Sequence, residues 1–330
     1  MITNIVVHIP TEVLSNEHLA KLYPDWTAEK IFEKTGIRER RVVQAGECAS
    51  DLAYAAASQL LAMEPTKSAD FLLFCTQTPD YLLPTTACVL QHRLGLATSC
   101  AALDFNLGCS GYIYGLALAN SLLQSGAASQ VLLLTADTYS RLIHPLDKST
   151  RTIFGDAGTA TLLTGDSKAR LHSFVLGSDG SGAEQLMVKT GGGRYPKSAE
   201  QTTSVDDSGN VLDSSCLFMN GPEIFNFTLK AVPKLVHGVL EKAQLSIDQI
   251  DLVIFHQANA FMLEHLRRKL GIPTEKFMVH LEFCGNTVSS TIPLALQAAV
   301  ATGRVRPGMK VLLAGFGVGY SWGGCILEWH

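Results

Sequence analysis

The chain has 330 residues, of which 47% are hydrophobic and 17% charged, and its formal net charge is −4. A charged fraction below the usual quarter, without a basic cluster, excludes nucleic acid as the main partner and indicates that much of the chain is buried. The first ten residues lack the regions of a signal peptide, and no apolar run approaches the length of a membrane span. We therefore expect a soluble, cytoplasmic protein.

The cysteines and histidines form no metal or disulfide pattern. No Cys-x-x-Cys pair occurs, no His/Cys grouping has zinc spacing, and eight cysteines in a chain of this length are not a disulfide framework. The glycine-rich pieces match neither G-x-x-x-x-G-K-[ST] nor a strand-embedded G-x-G-x-x-G, which excludes a phosphate cradle. We expect free thiols, no metal site and no permanently bound cofactor.

Strands and helices are predicted to alternate along the chain. Residues 14–34 are irregular or helical, a glycine turn leads into the basic segment 34–41, and Asp51 is predicted to cap an Ala-rich helix ending near residue 63. Apolar strands are predicted at 71–75 and 131–135, a helix capped by Thr85 or Thr86 ends near Gly95, and 154–163 forms a turn entering another strand. This alternation is typical of an α/β fold with a largely parallel sheet.

The stretch from residue 101 to residue 126 is the centre of this pattern. It begins as a short apolar strand, turns at Gly108 and continues as an apolar helix that ends at Gly126. Gly108 and Gly111 bracket Cys109, so the thiol is predicted to lie at the helix N-terminus, where free N–H groups and the helix dipole favour a thiolate. Cys109 is therefore the candidate nucleophile. A buried structural cysteine is the alternative here and the more frequent role at the other seven positions.

The two halves of the chain carry the same sequence pattern. Three pairs of segments match in the same order, namely 70–77 with 251–257, 90–96 with 266–272, and 131–134 with 311–314. Their offsets of 176 to 181 residues are far too long for a solenoid and indicate a duplicated half-domain. We expect one half at residues 1–170 and the other at 171–330, with the interval 178–222 as an excursion outside the core.

The duplication predicts which residues meet. Gly108-Cys109-Ser110 corresponds to Gly285-Asn286-Thr287, and each triplet stands where a helix begins. His256 follows the apolar strand 251–255, at the sheet edge where α/β proteins place their ligands. Cys109, Asn286 and His256 should therefore approach one another. The alternatives are a structural His256 and an Asn286 that merely caps a helix.

A thiol, an imidazole and a carboxamide together suit acyl-thioester chemistry. The thiolate of Cys109 takes the acyl group, while the Nε2–H of His256 and the amide of Asn286 hold a thioester oxygen that becomes an enolate. An asparagine cannot protonate the carbanion, whereas Asp or Glu would indicate proton-transfer chemistry. In the glycine-rich run 315–324, the Val318 N–H is predicted to form an oxyanion hole with that of Cys109; a tight crossover between buried strands is the other interpretation.

Six motifs, in this order along the whole chain, resemble the β-ketoacyl-acyl carrier protein synthase III family of thiolase-like condensing enzymes. They lie at residues 35–40, the turn at Cys109, 154–158, 256–259, 285–287 and 315–323. The resemblance implies a thiolase-like α/β fold of two duplicated halves, with stacked sheets layered α/β/α/β/α. It also implies that Cys109 accepts an acyl group and that His256 and Asn286 promote decarboxylation of a malonyl thioester.

The same resemblance implies substrates and partners. The expected reaction is a decarboxylative Claisen condensation of the bound acyl group with a malonyl or 3-oxoacyl thioester, giving a 3-oxoacyl product. Acyl-coenzyme A or acyl carrier protein supplies the thioesters, and the expected assembly is an obligate homodimer in which the Leu83 region lines the partner's acyl pocket. The other expected substrate-binding residues are Phe316, Asn259, Lys34 and Lys148.

Four positions depart from the family pattern. Lys30 stands where founding members carry a tryptophan that stacks on the adenine of coenzyme A, and Lys34 and Lys148 replace arginines. Phe261 replaces an arginine linked to carrier-protein docking. These departures favour a pathway-specific enzyme of specialised lipid or secondary metabolism.

Other functions stay open on the sequence alone. One is an acyltransferase that passes the Cys109-bound acyl group to an alcohol or amine; Asn286 argues against it, because members of that branch tend to replace this residue. Another is a catalytically silent partner in a heterodimer, against which the intact Cys109, His256 and Asn286 argue. A head-to-head condensing enzyme needs a base that the sequence does not locate.

Overall fold

The structure is a computed structural model that describes residues 2–63, 68–165, 169–197, 203–207 and 209–330. Within these ranges the α-helices are α1 (Asn16–Leu22), α2 (Ala28–Thr35), α3 (Ala49–Met63), α4 (Thr86–Arg93), α5 (Gly111–Gln124), α6 (Lys148–Arg151), α7 (Gly221–Ala243), α8 (Ala260–Lys269) and α9 (Thr291–Ala301). The strands are β1 (Ile2–His8), β2 (Glu12–Ser15), β3 (Glu39–Val42), β4 (Phe71–Cys75), β5 (Ala101–Phe105), β6 (Gln130–Asp137), β7 (Ala157–Thr164), β8 (Ala169–Ser178), β9 (Leu186–Val188), β10 (Thr203–Val205), β11 (Val211–Asp213), β12 (Leu217–Met219), β13 (Leu252–Phe255), β14 (Lys310–Gly317) and β15 (Ser321–Trp329).

Two mixed sheets contain most of the strands. The first has the order β1-β7-β6-β4-β5, with β4 parallel to β5 and β6, and β7 antiparallel to β1 and β6. The second has the order β13-β14-β15-β8, with β13 parallel to β14 and the other pairs antiparallel. Continuous apolar runs such as Phe71–Cys75 and Leu252–Phe255 form strands buried in the interior of the molecule, as expected for parallel neighbours.

The second sheet repeats the order of the first. A parallel bridge between Val253 and Phe277 occupies the place that β5 holds beside β4. The repeat extends to side chains. The carboxylate of Asp70 accepts the N–H of Gln130, the first residue of β6, at 3.0 Å, and that of Asp251 accepts the N–H of Lys310, the first residue of β14, at 2.7 Å. The predicted duplication of an α/β unit is confirmed.

The helices complete five layers. Apolar residues of α5 and α9 pack between the two sheets, in one buried cluster with β4, β6, β13 and β14. Helices α3 and α4 cover the outer face of the first sheet, and α7 and α8 cover the outer face of the second. This is the expected α/β/α/β/α architecture. Strand β7 ends at Thr164 and β8 begins at Ala169, and the division of the chain at residue 170 stays a proposal.

Two predicted helix caps are wrong. Helix α3 begins at Ala49, so Asp51 lies inside its first turn, where its carboxylate accepts the Cys48 N–H at 2.8 Å. Helix α4 begins after Thr85, but neither Thr85 nor Thr86 caps it. The carboxylate of Asp104, on β5, accepts the N–H groups of Thr86 and Ala87, both at 2.6 Å. A side chain distant in sequence thus satisfies the helix end.

Two further expectations concern cysteines and membranes. All eight cysteines are free, as predicted. Over the ranges described, none of the helices combines the length and the apolar composition that crossing a bilayer requires.

Candidate active site

One cavity of about 140 Å³ brings the three candidate residues together. Cys109 comes from the turn after β5, His256 from the end of β13, and Asn286 from the segment before α9. The remaining lining is largely apolar and consists of Ile153, Phe154, Leu186, Met219, Gly221, Ile224, Thr228, Ala258, Asn259, Met262, Phe316 and Gly317. The first half of the chain therefore supplies the sulfur, and the second half supplies the imidazole and the carboxamide.

Cys109 is held where two backbone segments nearly touch. It precedes Ser110, the N-cap of α5, and only 6% of its surface is exposed. A Cβ added to Gly317 would lie 2.8 Å from both Cβ and Sγ of Cys109, and one added to Gly315 would lie 2.7 Å from its carbonyl oxygen. These contacts leave no room for a side chain at either glycine, so the glycine-rich run does let the strand β14 pass directly against Cys109.

The protonation state of Cys109 differs from the sequence-based expectation. Burial raises the pKa of the thiol to about 12, although the backbone N–H groups of Val318 and of Cys109 itself face the sulfur and favour the thiolate. The helix N-terminus predicted a lowered pKa, and that prediction is wrong because desolvation outweighs the N–H groups. Near pH 7 the sulfur is therefore a neutral thiol.

Asn286 is fixed by backbone contacts on both sides. Its N–H donates to Ile153 O at 2.9 Å, and its carbonyl accepts the Gly155 N–H at 3.0 Å, which anchors it to the first half. Its side-chain Oδ1 accepts the Val288 N–H at 3.0 Å, so Nδ2 is directed toward His256. Val288 has φ +56°, a left-handed conformation that is strained for a β-branched residue. Asn286 therefore does not cap α9, whose N-cap residue is Ser290: its Oδ1 binds the N–H of Val288 before that helix, and its Nδ2 faces His256.

His256 is buried and neutral. Its backbone N–H donates to Ala314 O at 2.8 Å. In the ring, Nδ1 lies 2.7 Å from Thr291 Oγ1, and Nε2 lies 3.5 Å from Asn286 Nδ2. Burial lowers the pKa of the ring to about 3. An imidazole that stays neutral near pH 7 offers one N–H and one bare nitrogen.

A buried carboxyl group behind the nucleophile was not foreseen from the sequence. Asp137, at the end of β6, accepts the Gln77 N–H at 2.7 Å and the Ser289 N–H at 3.2 Å, together with the Ser289 hydroxyl. Burial raises the pKa of Asp137 to about 7. The residue ties the first sheet to the segment between Asn286 and α9.

The predicted substrate-binding residues divide into three groups. Phe316 and Asn259 line the cavity, and Asn259 also caps α8 by accepting the Met262 N–H at 2.8 Å. Lys34 and Lys148 lie outside the cavity lining: Lys34 is on the last turn of α2, which packs against the start of α8, and Lys148 begins α6. Leu83 is 86% exposed on a loop and touches none of this cavity.

The interval 178–222 does contribute to the cavity. Leu186 on β9, Met219 on β12, and Gly221 at the start of α7 are part of its wall. A second cavity of about 190 Å³ adjoins the first at Leu186 and has a polar wall in which the Tyr139 hydroxyl donates to Gln77 and Gln77 Nε2 donates to Asn106 at 3.0 Å. No local sequence signal marks this polar wall, because Gln77, Asn106 and Tyr139 lie in the segments that follow three different strands.

One groove lies apart from this cavity, and no metal-binding group was found among the described residues. A wider groove of about 440 Å³ between α7 and β15 is lined by Lys230, Lys234 and Tyr320 and includes none of the three candidate residues. Among the residues with described positions, no group of three or more His, Cys, Asp or Glu side chains is arranged to hold a metal ion.

Comparison with known proteins assigns most of the chain. Residues 103–180 match the family model 3-oxoacyl-[acyl-carrier-protein] synthase III, and residues 240–329 match the model of the C-terminal part of the same family. The chain is 38% identical to the β-ketoacyl-[acyl-carrier-protein] synthase III of Xylella fastidiosa over 98% of this chain and 96% of that protein.

Solved structures agree with these matches. A crystal structure of a 3-oxoacyl-(acyl-carrier-protein) synthase III superposes with a TM-score of 0.97 at 53% identity and covers 99% of both chains. The 3-oxoacyl-(acyl-carrier protein) synthase of Burkholderia xenovorans superposes with a TM-score of 0.90 at 42% identity, over 99% of this chain and 93% of that one.

Proposed function

This chain belongs to the 3-oxoacyl-[acyl-carrier-protein] synthase III family of acyltransferases, and on that premise we propose that it joins a Cys109-bound acyl group to a malonyl thioester by decarboxylative Claisen condensation. The observation that carries the proposal is the convergence of Cys109, His256 and Asn286 on one cavity. That arrangement pairs a nucleophile with two N–H donors in an apolar setting, where such donors stabilise developing negative charge most strongly.

In the first half-reaction, the sulfur of Cys109 attacks the carbonyl carbon of an acyl thioester. The thiol proton goes to the departing thiol, and the acyl group stays on the enzyme. The N–H groups of Val318 and Cys109 face the sulfur, and we assign them to the carbonyl oxygen of the tetrahedral intermediate. The high pKa of Cys109 makes the thiolate scarce before a substrate binds, which protects the free enzyme from side reactions.

In the second half-reaction, the malonyl thioester loses carbon dioxide. The electron pair of the broken carbon–carbon bond forms an enolate, whose oxygen is held by Asn286 Nδ2–H and His256 Nε2–H. The enolate carbon then attacks the acyl group, and the Cys109 thiolate leaves as the 3-oxoacyl thioester forms. Since His256 stays neutral and the amide N–H of Asn286 is not acidic, neither donor protonates the carbanion.

A direct experiment tests both half-reactions. Purified protein is incubated with a panel of acyl-coenzyme A and acyl-carrier-protein donors, and the intact mass shows which acyl group it gains. Addition of a malonyl thioester should then release carbon dioxide and a 3-oxoacyl product. Cys109→Ala should gain no acyl mass, whereas Cys48→Ala, which alters a half-buried thiol outside the cavity, should load normally.

Two other functions correspond to other outcomes, one of this experiment and one of an experiment in cells. Transfer of the acyl group to an alcohol or amine, without release of carbon dioxide, would show an acyltransferase of another type. A Cys109→Ala protein that still supports its pathway in cells would show a catalytically silent partner of a heterodimer. The presence of both donors, Asn286 and His256, favours condensation over either alternative.

The surface formed by α2, the residues before it and α8 bears on the carrier of the acyl group. Trp26 lies between two lysines, with Lys34 Nζ 5.3 Å and Lys30 Nζ 5.8 Å from its ring centroid, which gives an aromatic surface with positive charge suited to a nucleotide. Phe261, which stands in place of the family's docking arginine, is 54% exposed and packs on His265, with ring centroids 4.2 Å apart. We propose acyl-coenzyme A as the donor of the first acyl group.

A homodimer is the proposed assembly. Tyr81, Leu82 and Leu83 are 60%, 92% and 86% exposed on one loop, and Leu103 on the edge strand β5 is 45% exposed. An exposed apolar loop beside an unpaired strand edge is typical of an interface. Leu83→Asp should yield monomers in analytical ultracentrifugation and reduce acyl loading, whereas Val13→Asp, which changes an exposed residue on β2, should leave the dimer intact.

A further inference from the structure

The ring of His256 has one polar neighbour at each nitrogen. Nδ1 lies 2.7 Å from the hydroxyl oxygen of Thr291, and Nε2 lies 3.5 Å from Nδ2 of Asn286. Thr291 is 2% exposed at the start of α9, so its hydroxyl is shielded from water. In a neutral imidazole, the hydrogen bond at one nitrogen decides whether the other carries the proton.

The two distances indicate the same tautomer. O–H donors bind at about 2.7–2.8 Å and N–H donors at about 2.9–3.0 Å, so the 2.7 Å contact fits a hydroxyl that donates to a bare Nδ1. The 3.5 Å separation from Asn286 is longer than an N–H hydrogen bond and fits two N–H groups side by side. The Asn286 amide cannot reverse at no cost, because its Oδ1 accepts the Val288 N–H at 3.0 Å.

We propose that Thr291 is a positioning residue whose hydroxyl donates to Nδ1 of His256 and thereby places the ring proton on Nε2, beside the Asn286 amide. Nothing in the condensation chemistry is done by Thr291 itself. Its effect is that two N–H groups point at one oxygen before the substrate arrives. The proposal rests on the proposed condensation for its purpose, but the tautomer itself can be measured without turnover.

A competing arrangement makes the proposal testable. The Thr291 hydroxyl also lies 3.1 Å from the carbonyl oxygen of Val288 and has a single hydrogen to give. If it donated there, Nδ1 would carry the ring proton and Nε2 would be an acceptor, unable to hold an enolate oxygen. The shorter contact of the two is the one to His256.

Three variants separate positioning from folding. Thr291→Val removes the hydroxyl and keeps the branched shape, Thr291→Ser keeps the hydroxyl, and Thr161→Val removes a buried hydroxyl that instead bonds Tyr112 at 3.2 Å in the first sheet. Thermal unfolding of each variant checks that it folds. Because the loading donors are backbone N–H groups, Thr291→Val should load acyl groups like the unaltered protein.

Condensation should respond differently from loading. Removing an oxyanion donor costs about 10²–10³ in rate. Thr291→Val leaves the donor present but no longer fixed in its tautomer, so we expect condensation to slow by about 10- to 100-fold, below that bound. Thr291→Ser should restore most of the rate, and Thr161→Val should not change it.

The tautomer is read by ¹⁵N NMR of protein labelled at its 10 histidines, with the His256→Gln variant identifying the resonance. The expected result is a proton on Nε2 in the unaltered protein, and a shift toward Nδ1 or a mixture in Thr291→Val. A proton on Nδ1 in the unaltered protein overturns the proposal. A Thr291→Val spectrum identical to that of the unaltered protein overturns it as well. If Nε2 carries the proton but no condensation occurs with any donor, the proposed function fails while the role of Thr291 in fixing the ring stands.

Discussion

The substitution Asn286→Ala separates the two half-reactions. It removes one of the two N–H donors assigned to the enolate oxygen and leaves Cys109, the Val318 N–H and His256 in place. Acyl loading should therefore proceed close to the normal rate, whereas release of carbon dioxide and formation of the 3-oxoacyl product should slow sharply.

The expected magnitude follows from the geometry of the pair. Asn286 Nδ2 and His256 Nε2 are 3.5 Å apart and nearly excluded from water, since only 4% of the surface of Asn286 and 2% of that of His256 is exposed. A single lost donor in such a site lowers the rate by about 10²–10³, equal to about 2.7–4 kcal/mol in the barrier. The variant also leaves the buried Val288 N–H without its partner, which costs about 1–3 kcal/mol of folding stability.

The assay must distinguish a lost donor from a weakened fold. Intact-mass spectrometry measures loading, carbon dioxide release from a malonyl thioester measures the second step, and thermal unfolding measures stability. Asn120→Ala is the matched control, because Asn120 is a buried asparagine on α5 outside the cavity. Equal loss of loading and condensation in Asn286→Ala, or an equal defect in the control, would refute the roles assigned here.

Three further changes test the site. Because the pKa of Cys109 is raised to about 12, its alkylation by iodoacetamide should accelerate about tenfold per pH unit from about pH 7 to about pH 9, as peptide mass spectrometry measures; a plateau in that range would contradict burial of the thiol. The pKa of His256 is about 3 in the folded chain, against a reference value of 6.5, so as the pH falls the unfolded chain takes up the proton first. Folding stability should therefore fall by about 1.4 kcal/mol per pH unit as the pH drops below about 6. Urea unfolding at about pH 7 and about pH 5 measures how folding stability depends on pH. In His256→Gln this dependence should be weaker by the share due to His256, and an unchanged dependence would mean that the ring is not buried in its neutral form. Gly317→Ala places a Cβ 2.8 Å from Cys109 Sγ, so it should lower the free energy of unfolding by about 1–3 kcal/mol and slow acyl loading. Gly180→Ala, with open space around its Cβ, should change neither. Normal loading in Gly317→Ala would contradict the close approach of the two backbone segments.

Much of the architecture is contained in local sequence. The strands β4 and β13 follow from continuous apolar runs, and the repeat of those runs at a constant offset was enough to predict two equivalent sheets. The same repeat predicted the meeting of Cys109 with Asn286, because equivalent turns face each other across a duplicated fold. The conserved chemistry of the family was accessible for the same reason, since its motifs lie at these turns.

What the sequence did not predict depends on distant packing. Asp104 caps α4 from the neighbouring strand, so no local signal marks it. The pKa of Cys109 depends on how tightly β14 covers the sulfur, and helix position alone gave the opposite direction. Thr291 was overlooked because its hydroxyl is one of several in the segment 287–291, and only the fold shows which of them reaches His256.

The bridge between Phe154 and Asn286 has a consequence for control of the enzyme. It pairs the backbone of Asn286 with the N-terminal half of the chain, whereas His256 follows strand β13 of the C-terminal half. A displacement of one half against the other would therefore change the distance between Asn286 Nδ2 and His256 Nε2, which is 3.5 Å here. The same displacement would move the Val318 N–H relative to Cys109, so a compound bound between the halves would impair both half-reactions.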